Sequence, residues 1–234
     1  ASRGLSKDPD GNILYTTDSL FYRIDYRTGQ GVARKAPTGF VLYPYLTAPA
    51  SDQAGNVFVG RVYPNNAVQI FNPGFSFVGN VTTASTGYSR TMAVSADGKN
   101  VFWPEFDQNK LYRFASPSGP TGSYTNSGVV MNGLAIESMT WHPKTGFLWV
   151  SSGSDYNPPA SPYSILTWYG LDLANGNIAD TIGWTQTPAT LSGRPRAIAF
   201  SPTGDTAYVG CFNINTNFLQ MFYKSVRLSA SASS

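Results

Sequence analysis

Residues that supply nucleophiles and bases in enzymes are scarce in this sequence. The chain has one histidine, His142, and one cysteine, Cys211. A cysteine nucleophile needs a basic partner such as histidine to activate it. Cys211 lies in the apolar run 207–212 and His142 in the turn 142–146, and nothing in their spacing brings the two together. We expect Cys211 to be a small buried apolar residue and His142 to have a structural role in its turn.

Other common catalytic arrangements are missing from the sequence. A Ser-His-Asp triad would have to use His142, and the chain has no Gly-x-Ser-x-Gly nucleophile motif. One histidine and one cysteine cannot supply the usual set of zinc ligands. Phosphate-binding loops and dinucleotide fingerprints are also missing. The sequence therefore disfavours nucleophilic, zinc-dependent and nucleotide-dependent chemistry.

The remaining candidates for chemistry are charged side chains. Glu105 and Asp107 are separated by one residue, and carboxylate oxygens are the ligands that Ca²⁺ and Mg²⁺ prefer. The alternative is that both are solvated loop charges, paired with Lys110. Arg90 and Arg196 each lie shortly before an apolar segment. Whether these side chains can act together depends on the elements that position them.

Those elements form an internal repeat. An apolar segment, a tight turn with glycine and a second segment rich in aromatic and β-branched residues recur about every 45 residues. Glycine permits the positive φ that such hairpin turns need, and the turn glycines are Gly11, Gly55, Gly98, Gly146 and Gly204. Third segments follow at 20–25, 67–71, 110–114, 165–171 and 218–223. Weaker fourth segments follow at 32–34, 75–81, 122–125 and 178–182, and only 226–229 remains after the last copy.

Four antiparallel strands in each unit of this length predict an all-β fold, a β-propeller of about five blades. The predicted blades span 1–38, 39–84, 85–131, 132–188 and 189–228, in a single domain that ends in the Ser/Ala tail 229–234. The five could be part of a propeller of six or seven blades. A β-sandwich or barrel is the alternative, but it does not require so long a period.

Two copies of the repeat resemble known propeller repeats. The segments 52–59 and 66–74 resemble the NHL repeat. The segments 95–102 and 109–114 resemble the YVTN-type repeats of surface-layer proteins and those of the gluconolactonase group. The last resemblance implies a divalent metal held by Glu, Asn and Asp at the mouth of the central channel. The group's early Glu-Gly-Pro motif is missing, Asn132-Gly133 matches its Asn-Gly only loosely, and Glu105 and Asp107 lie near its Asp.

In a propeller, the turns between second and third strands share one face with the connections between blades, and ligands usually bind there. We call this the loop face. The ligand-binding residues predicted on it are Arg90, Glu105, Asp107, Asp155, Tyr156, Tyr163 and Arg196, with Asp18, Arg61, Glu137, Arg194 and Asn213 as further candidates. The insertion 153–163 carries three prolines and both tyrosines. It is either a stiff recognition loop or an ordinary surface loop.

The composition limits the partners and the location. A net charge of +3 without a basic cluster does not predict a nucleic-acid partner, and no apolar run is long enough to span a membrane. Charged residues are only 12% of the chain, and Tyr, Asn, Ser and Thr carry its polarity, which is typical of a secreted or cell-surface protein. Asn80-Val-Thr82 matches the acceptor pattern for N-glycosylation.

These observations favour a non-catalytic extracellular propeller, a recognition or scaffold and assembly module for a protein or carbohydrate partner, with self-association as a further option. No cofactor is predicted for that function. The alternative is a lactonase-like propeller hydrolase that depends on Ca²⁺.

Overall fold

The computed structural model describes residues 4–39, 45–62, 68–82, 87–153, 158–185, 194–212 and 219–223. These residues form β-strands and turns, with one short 3-10 helix at Gly119–Thr121. Among them, no helix has the length and apolar character needed to cross a membrane. The all-β class predicted from the sequence is therefore confirmed.

The strands form five antiparallel sheets in chain order, the blades of a β-propeller. Blade 1 contains β1 (Gly4–Lys7), β2 (Ile13–Thr16), β3 (Phe21–Ile24) and β4 (Gly31–Lys35). Blade 2 contains β5 (Ala50–Ser51), β6 (Val57–Val59), β7 (Val68–Phe71) and β8 (Phe77–Thr82). Blade 3 contains β9 (Ala93–Val94), β10 (Asn100–Glu105), β11 (Lys110–Ala115) and β12 (Thr125–Asn132). Blade 4 contains β13 (Met139–Trp141), β14 (Leu148–Ser151), β15 (Thr167–Asp172) and β16 (Asn177–Gly183), and blade 5 contains β17 (Arg194–Phe200), β18 (Thr206–Phe212) and β19 (Leu219–Tyr223).

The hairpin corners between the first and second strands lie at the predicted glycines. Their φ angles are positive, 87° at Gly11 in the first copy and 72° at Gly204 in the last, a region that side chains with a Cβ rarely adopt. In blade 1, both oxygens of the Asp8 carboxylate accept hydrogen bonds from Asn12, one from its backbone N–H and one from its side chain. These contacts fix the corner of the blade 1 hairpin.

The outer strand of blade 3 differs from its prediction. The segment 122–125 was expected to form it, but the strand is β12, which begins at Thr125. The 3-10 helix ends just before this segment, and the Tyr124 hydroxyl donates a hydrogen bond to the Gly98 carbonyl oxygen at the hairpin corner. These contacts hold the segment at the hairpin corner, and the chain joins the sheet only from Thr125. The segment 226–229 lies outside the described residues.

Apolar cores lie between successive blades because alternate side chains of each strand point to opposite faces of its sheet. In blade 2, Val57 and Val59 pack toward blade 1, whereas Phe58 packs toward blade 3. The same alternation continues in blade 3, where Trp103 packs toward blade 2 and Phe102 toward blade 4. We call the face toward the preceding blade the leading face and the face toward the following blade the trailing face. The inner strands β1, β5, β9, β13 and β17 contact one another in sequence.

Candidate functional site

Three charged residues occupy the same position of three successive repeats. Each lies two residues before the first apolar residue of the aligned inner segment: Arg90 before Met92, Glu137 before Met139 and Arg196 before Ile198. Inner strands surround the channel and run in the same direction, so equivalent positions converge at one end of it. The signs of the charges alternate along the chain, so these side chains can form an ion-pair cluster at the channel mouth.

The structure brings these three side chains together. One oxygen of Glu137, Oε2, accepts Arg90 Nη1 at 2.9 Å and also accepts Arg196 Nη1. The Glu137 side chain is fully buried, whereas each arginine side chain remains about a quarter exposed. The Glu137 backbone N–H donates to Ser151 Oγ at 3.1 Å. Because a carboxylate in a buried position is costly unless charged partners bind it, the two guanidinium groups are a condition for this arrangement.

Arg90 also joins the cluster to the β10–β11 turn. Its guanidinium carbon lies 5.0 Å from the centre of the Phe106 ring, within the range of a cation–π contact. Phe106 is buried, and its backbone N–H donates to the Tyr88 carbonyl oxygen at 2.9 Å. The connection before blade 3, the β10–β11 turn of blade 3 and the connection before blade 4 are therefore held as one unit.

Glu105 and Asp107 lie at this turn, on the loop face. Asp107 Oδ1 accepts the Tyr88 backbone N–H at 2.7 Å, and Glu105 is 3% exposed, so the alternative of a solvated charge is wrong for Glu105. Both carboxylates lie so close to Gly87 that they leave no room for a side chain there. A Cβ there would lie 2.6 Å from Asp107 Oδ1 and 2.8 Å from Glu105 Oε2. Within the described ranges, no group of three or more His, Cys, Asp or Glu side chains is arranged to hold a metal ion.

The insertion before β15 is attached to blade 3. The Ala160 N–H donates to the Gly133 carbonyl oxygen at 2.8 Å, and Asn109 Nδ2 donates to the Pro158 carbonyl oxygen at 3.3 Å. Tyr163 is half-buried and lies edge-on to Tyr169 with 5.4 Å between ring centres. Tyr163 therefore anchors the insertion on the loop face. Asp155 and Tyr156, also predicted for this site, lie outside the described residues, as does Asn213.

His142 lies at the opposite end of the blades, at a hairpin corner. Its Nε2 lies 3.0 Å from the Gly204 carbonyl oxygen of blade 5, and Nδ1 accepts the backbone N–H groups of Lys144 and Thr145 at 3.2 Å. This pattern assigns the neutral ring with the proton on Nε2. The ring also packs against Phe200. His142 therefore fastens blade 4 to blade 5.

Cys211 lies in the core between blades 4 and 5. It is partly buried and packs beside Trp149 and Ile198. Burial raises the pKa of the Cys211 thiol to about 12, so the thiol stays protonated at neutral pH. Cys211 thus has the properties of a small apolar core residue.

Of the predicted residues that the structure describes, Arg90 and Arg196 meet through Glu137, and Glu105 and Asp107 meet beside Gly87. The sequence did not single out Glu137 as the centre of a cluster. The signal that could have found it is the alternation of charge at one repeat position. Arg61 follows β6 and pairs with Leu46 in an isolated β-bridge, Asp18 lies in the turn between β2 and β3, and the side chain of Arg194 is not among those described.

The sheets and the loop-face contacts define the protein as a β-propeller, a fold that provides a generic recognition or scaffold module. No known family model and no curated protein matches the chain. Among solved structures it is similar to a protein of unknown function from Bacteroides caccae, with a TM-score of 0.60 and 12% identity, covering 89% of this chain and 69% of that chain. At this identity the similarity establishes the fold alone, and the propeller fold hosts many functions.

Proposed function

We propose that this protein is a non-catalytic extracellular recognition or scaffold module that binds a protein or carbohydrate partner on the loop face of blades 3 to 5. The observation that carries the proposal is the cluster of Arg90, Glu137 and Arg196. It fixes the entrances to three successive blades around a single buried carboxylate. Membership of the NHL, YVTN-type or gluconolactonase-like propellers is part of the same proposal.

The cluster supports binding because it is rigid and still partly accessible. Ion pairs and the Phe106 contact hold the guanidinium groups in place before a partner arrives, which lowers the entropy lost on binding. A quarter of each arginine side chain is exposed, and the planar guanidinium group matches carboxylate, sulfate or amide groups of a partner. The anchored insertion extends the same face with Pro158 and Tyr163.

Three observations, on Glu137, Cys211 and His142, support a non-catalytic function. The Glu137 carboxylate is fully buried and engaged by two arginines, so a substrate cannot reach it as a base. The Cys211 thiol is protonated at neutral pH, and His142 uses both ring nitrogens to fasten a hairpin corner. A Ca²⁺-dependent lactonase would need oxygen ligands gathered around an ion at the mouth, and the pair of Glu105 and Asp107 beside Gly87 would be its starting point.

The experiment compares the wild-type protein with Arg90→Gln and Arg196→Gln on arrays of neutral and uronic-acid oligosaccharides and of neutral and acidic peptides. Lys144→Gln is the control, because this cation is exposed and lies at the opposite end of the blades. We expect retention of a subset of acidic probes by the wild type and the control, and at least tenfold weaker retention by the loop-face variants. Retention of no probe, or equal retention by all variants, would contradict the proposal. Ca²⁺-dependent hydrolysis of a simple lactone above the buffer rate would replace it with the hydrolase.

A further inference from the structure

The leading face of blade 1 is exposed although its residues are apolar. In β2, Ile13 and Tyr15 point to this face, and Leu5 of β1 lies directly opposite Tyr15. The corresponding residues in blades 2, 3 and 4 are all fully buried: Val57 and Val59, Val101 and Trp103, Leu148 and Val150. Ile13 and Tyr15 are only partly buried, and Leu5 is 65% exposed.

The trailing face of blade 5 is exposed in the same way. Leu219, Met221 and Tyr223 alternate along β19, and their side chains are 63%, 52% and 70% exposed. Gln220 lies on the other side of the strand, toward blade 4, and is buried. In blade 2, the corresponding third strand buries Val68 and Ile70 completely under blade 3.

These two faces are of the two types that pack together inside the molecule. At each of the four interfaces inside the molecule, the trailing face of one blade packs on the leading face of the next. The trailing face of blade 5 therefore has the apolar, twisted surface that a leading face covers elsewhere in this chain. Neighbouring exposed apolar side chains of this kind mark contact surfaces. The exposed faces are of opposite type, so a second copy of the chain supplies a match for each.

We propose that this protein associates head to tail, with the trailing face of blade 5 packed on the leading face of blade 1 of a second copy. The contact is heterologous, because different surfaces of the two copies meet, so it can continue to further copies. It would extend the series of inter-blade cores from one molecule into the next. The inference is independent of the partner proposed for the loop face.

The test is light scattering coupled to size exclusion over a hundredfold range of concentration. Leu5→Glu places a charge on the leading face and Met221→Glu places one on the trailing face. Both side chains are more than half exposed, so neither change disturbs a core. Phe77→Glu is the control, because Phe77 is an exposed aromatic residue on the outer strand β8 of blade 2.

We expect the mass of the wild type and of Phe77→Glu to rise with concentration to that of two or more chains. Each of the other variants alone should stay at the mass of one chain, with an unchanged circular dichroism spectrum. A mixture of Leu5→Glu and Met221→Glu should form a complex of two chains and no larger species, because each variant retains the face that the other lacks. A monomeric wild type, self-association of either variant alone, or a monomeric mixture would each overturn the proposal.

Discussion

The indole N–H of Trp141 donates a hydrogen bond to the Val94 carbonyl oxygen, 2.8 Å away, across the boundary between blades 3 and 4. Both residues lie on inner strands, near the hairpin corners. The bond is thus a direct polar tie between two adjacent blades. The Trp141 ring also packs edge-on against Phe102, with 5.7 Å between ring centres.

Replacing the Trp141 N–H donor should weaken the contact between blades 3 and 4 while most of the packing there is kept. Trp141→Phe retains an aromatic ring beside Phe102 but removes the N–H, so the Val94 carbonyl loses one partner. We expect the free energy of unfolding to fall by about 1 to 2 kcal/mol in urea titration, from the lost bond and a small loss of packing. An unchanged midpoint would show that the bond does not stabilise the boundary.

The buried carboxylate of Glu137 should be far more important for stability than an exposed one. Glu137→Gln removes the charge that holds Arg90 and Arg196, and breaking a buried ion pair costs about 3 to 5 kcal/mol. Asp205→Asn is the matched control, since its pair with Lys144 is more than half exposed on both sides and exposed ion pairs contribute little to stability. Thermal unfolding of both variants measures the difference. Equal shifts would contradict a central role for Glu137.

Gly87 should be required by the contacts of its neighbours. Gly87→Ala would place a methyl group against Asp107 Oδ1 and Glu105, and such overpacking destabilises by about 1 to 3 kcal/mol. Gly79→Ala is the control, because a Cβ there meets no atom within 4 Å. Chemical denaturation should show a lower stability for the first variant only. If both variants unfold alike, the carboxylates move aside freely.

Cys211 should be unreactive in the folded protein. With its pKa raised to about 12, the thiol is protonated at pH 8, where an ordinary cysteine is already partly thiolate. Alkylation by iodoacetamide should be at least tenfold slower in the native state than in guanidinium. Because the folded protein keeps the thiol proton to a higher pH than the unfolded chain does, this group should lower the free energy of unfolding as the pH rises from the unfolded-state pKa of the thiol toward 12. Below the unfolded-state pKa it should have no such effect. Native alkylation as fast as in denaturant would contradict the burial of this thiol.

Asn80 is placed where a glycan can be attached. It lies exposed on β8 in the outer strand of blade 2, so a sugar chain there would not disturb a core. Expressed through a eukaryotic secretory route, the protein should gain the mass of an N-linked glycan, and Asn80→Gln should abolish the gain. A glycosidase-insensitive mass that is the same in both forms would show that the site is not used.

The sequence predicted the strands and their order better than the contacts between blades. Turn glycines with positive φ, such as Gly11 and Gly204, mark the corners, and the hairpins follow from local chemistry. The partners of Glu137 could not be predicted, because they depend on the angle between blades, although the shared repeat position was visible. Nor does the sequence show that the trailing face of blade 5 is exposed. Leu219 and Met221 alternate along their strand just as the buried Val68 and Ile70 do.

Blades 4 and 5 are fastened at both ends of their common core. Glu137 and Arg196 join them at the loop face, and His142 meets Gly204 at the hairpin corners. Blade 1, like blade 5, has its buried core on one side only, and the ion-pair cluster of Glu137 lies at blades 3 to 5. We therefore expect blade 1 to unfold locally before blades 4 and 5, which should open together as one cooperative unit. In hydrogen exchange, the backbone amides of blade 1 should exchange with deuterium first and those of blades 4 and 5 last.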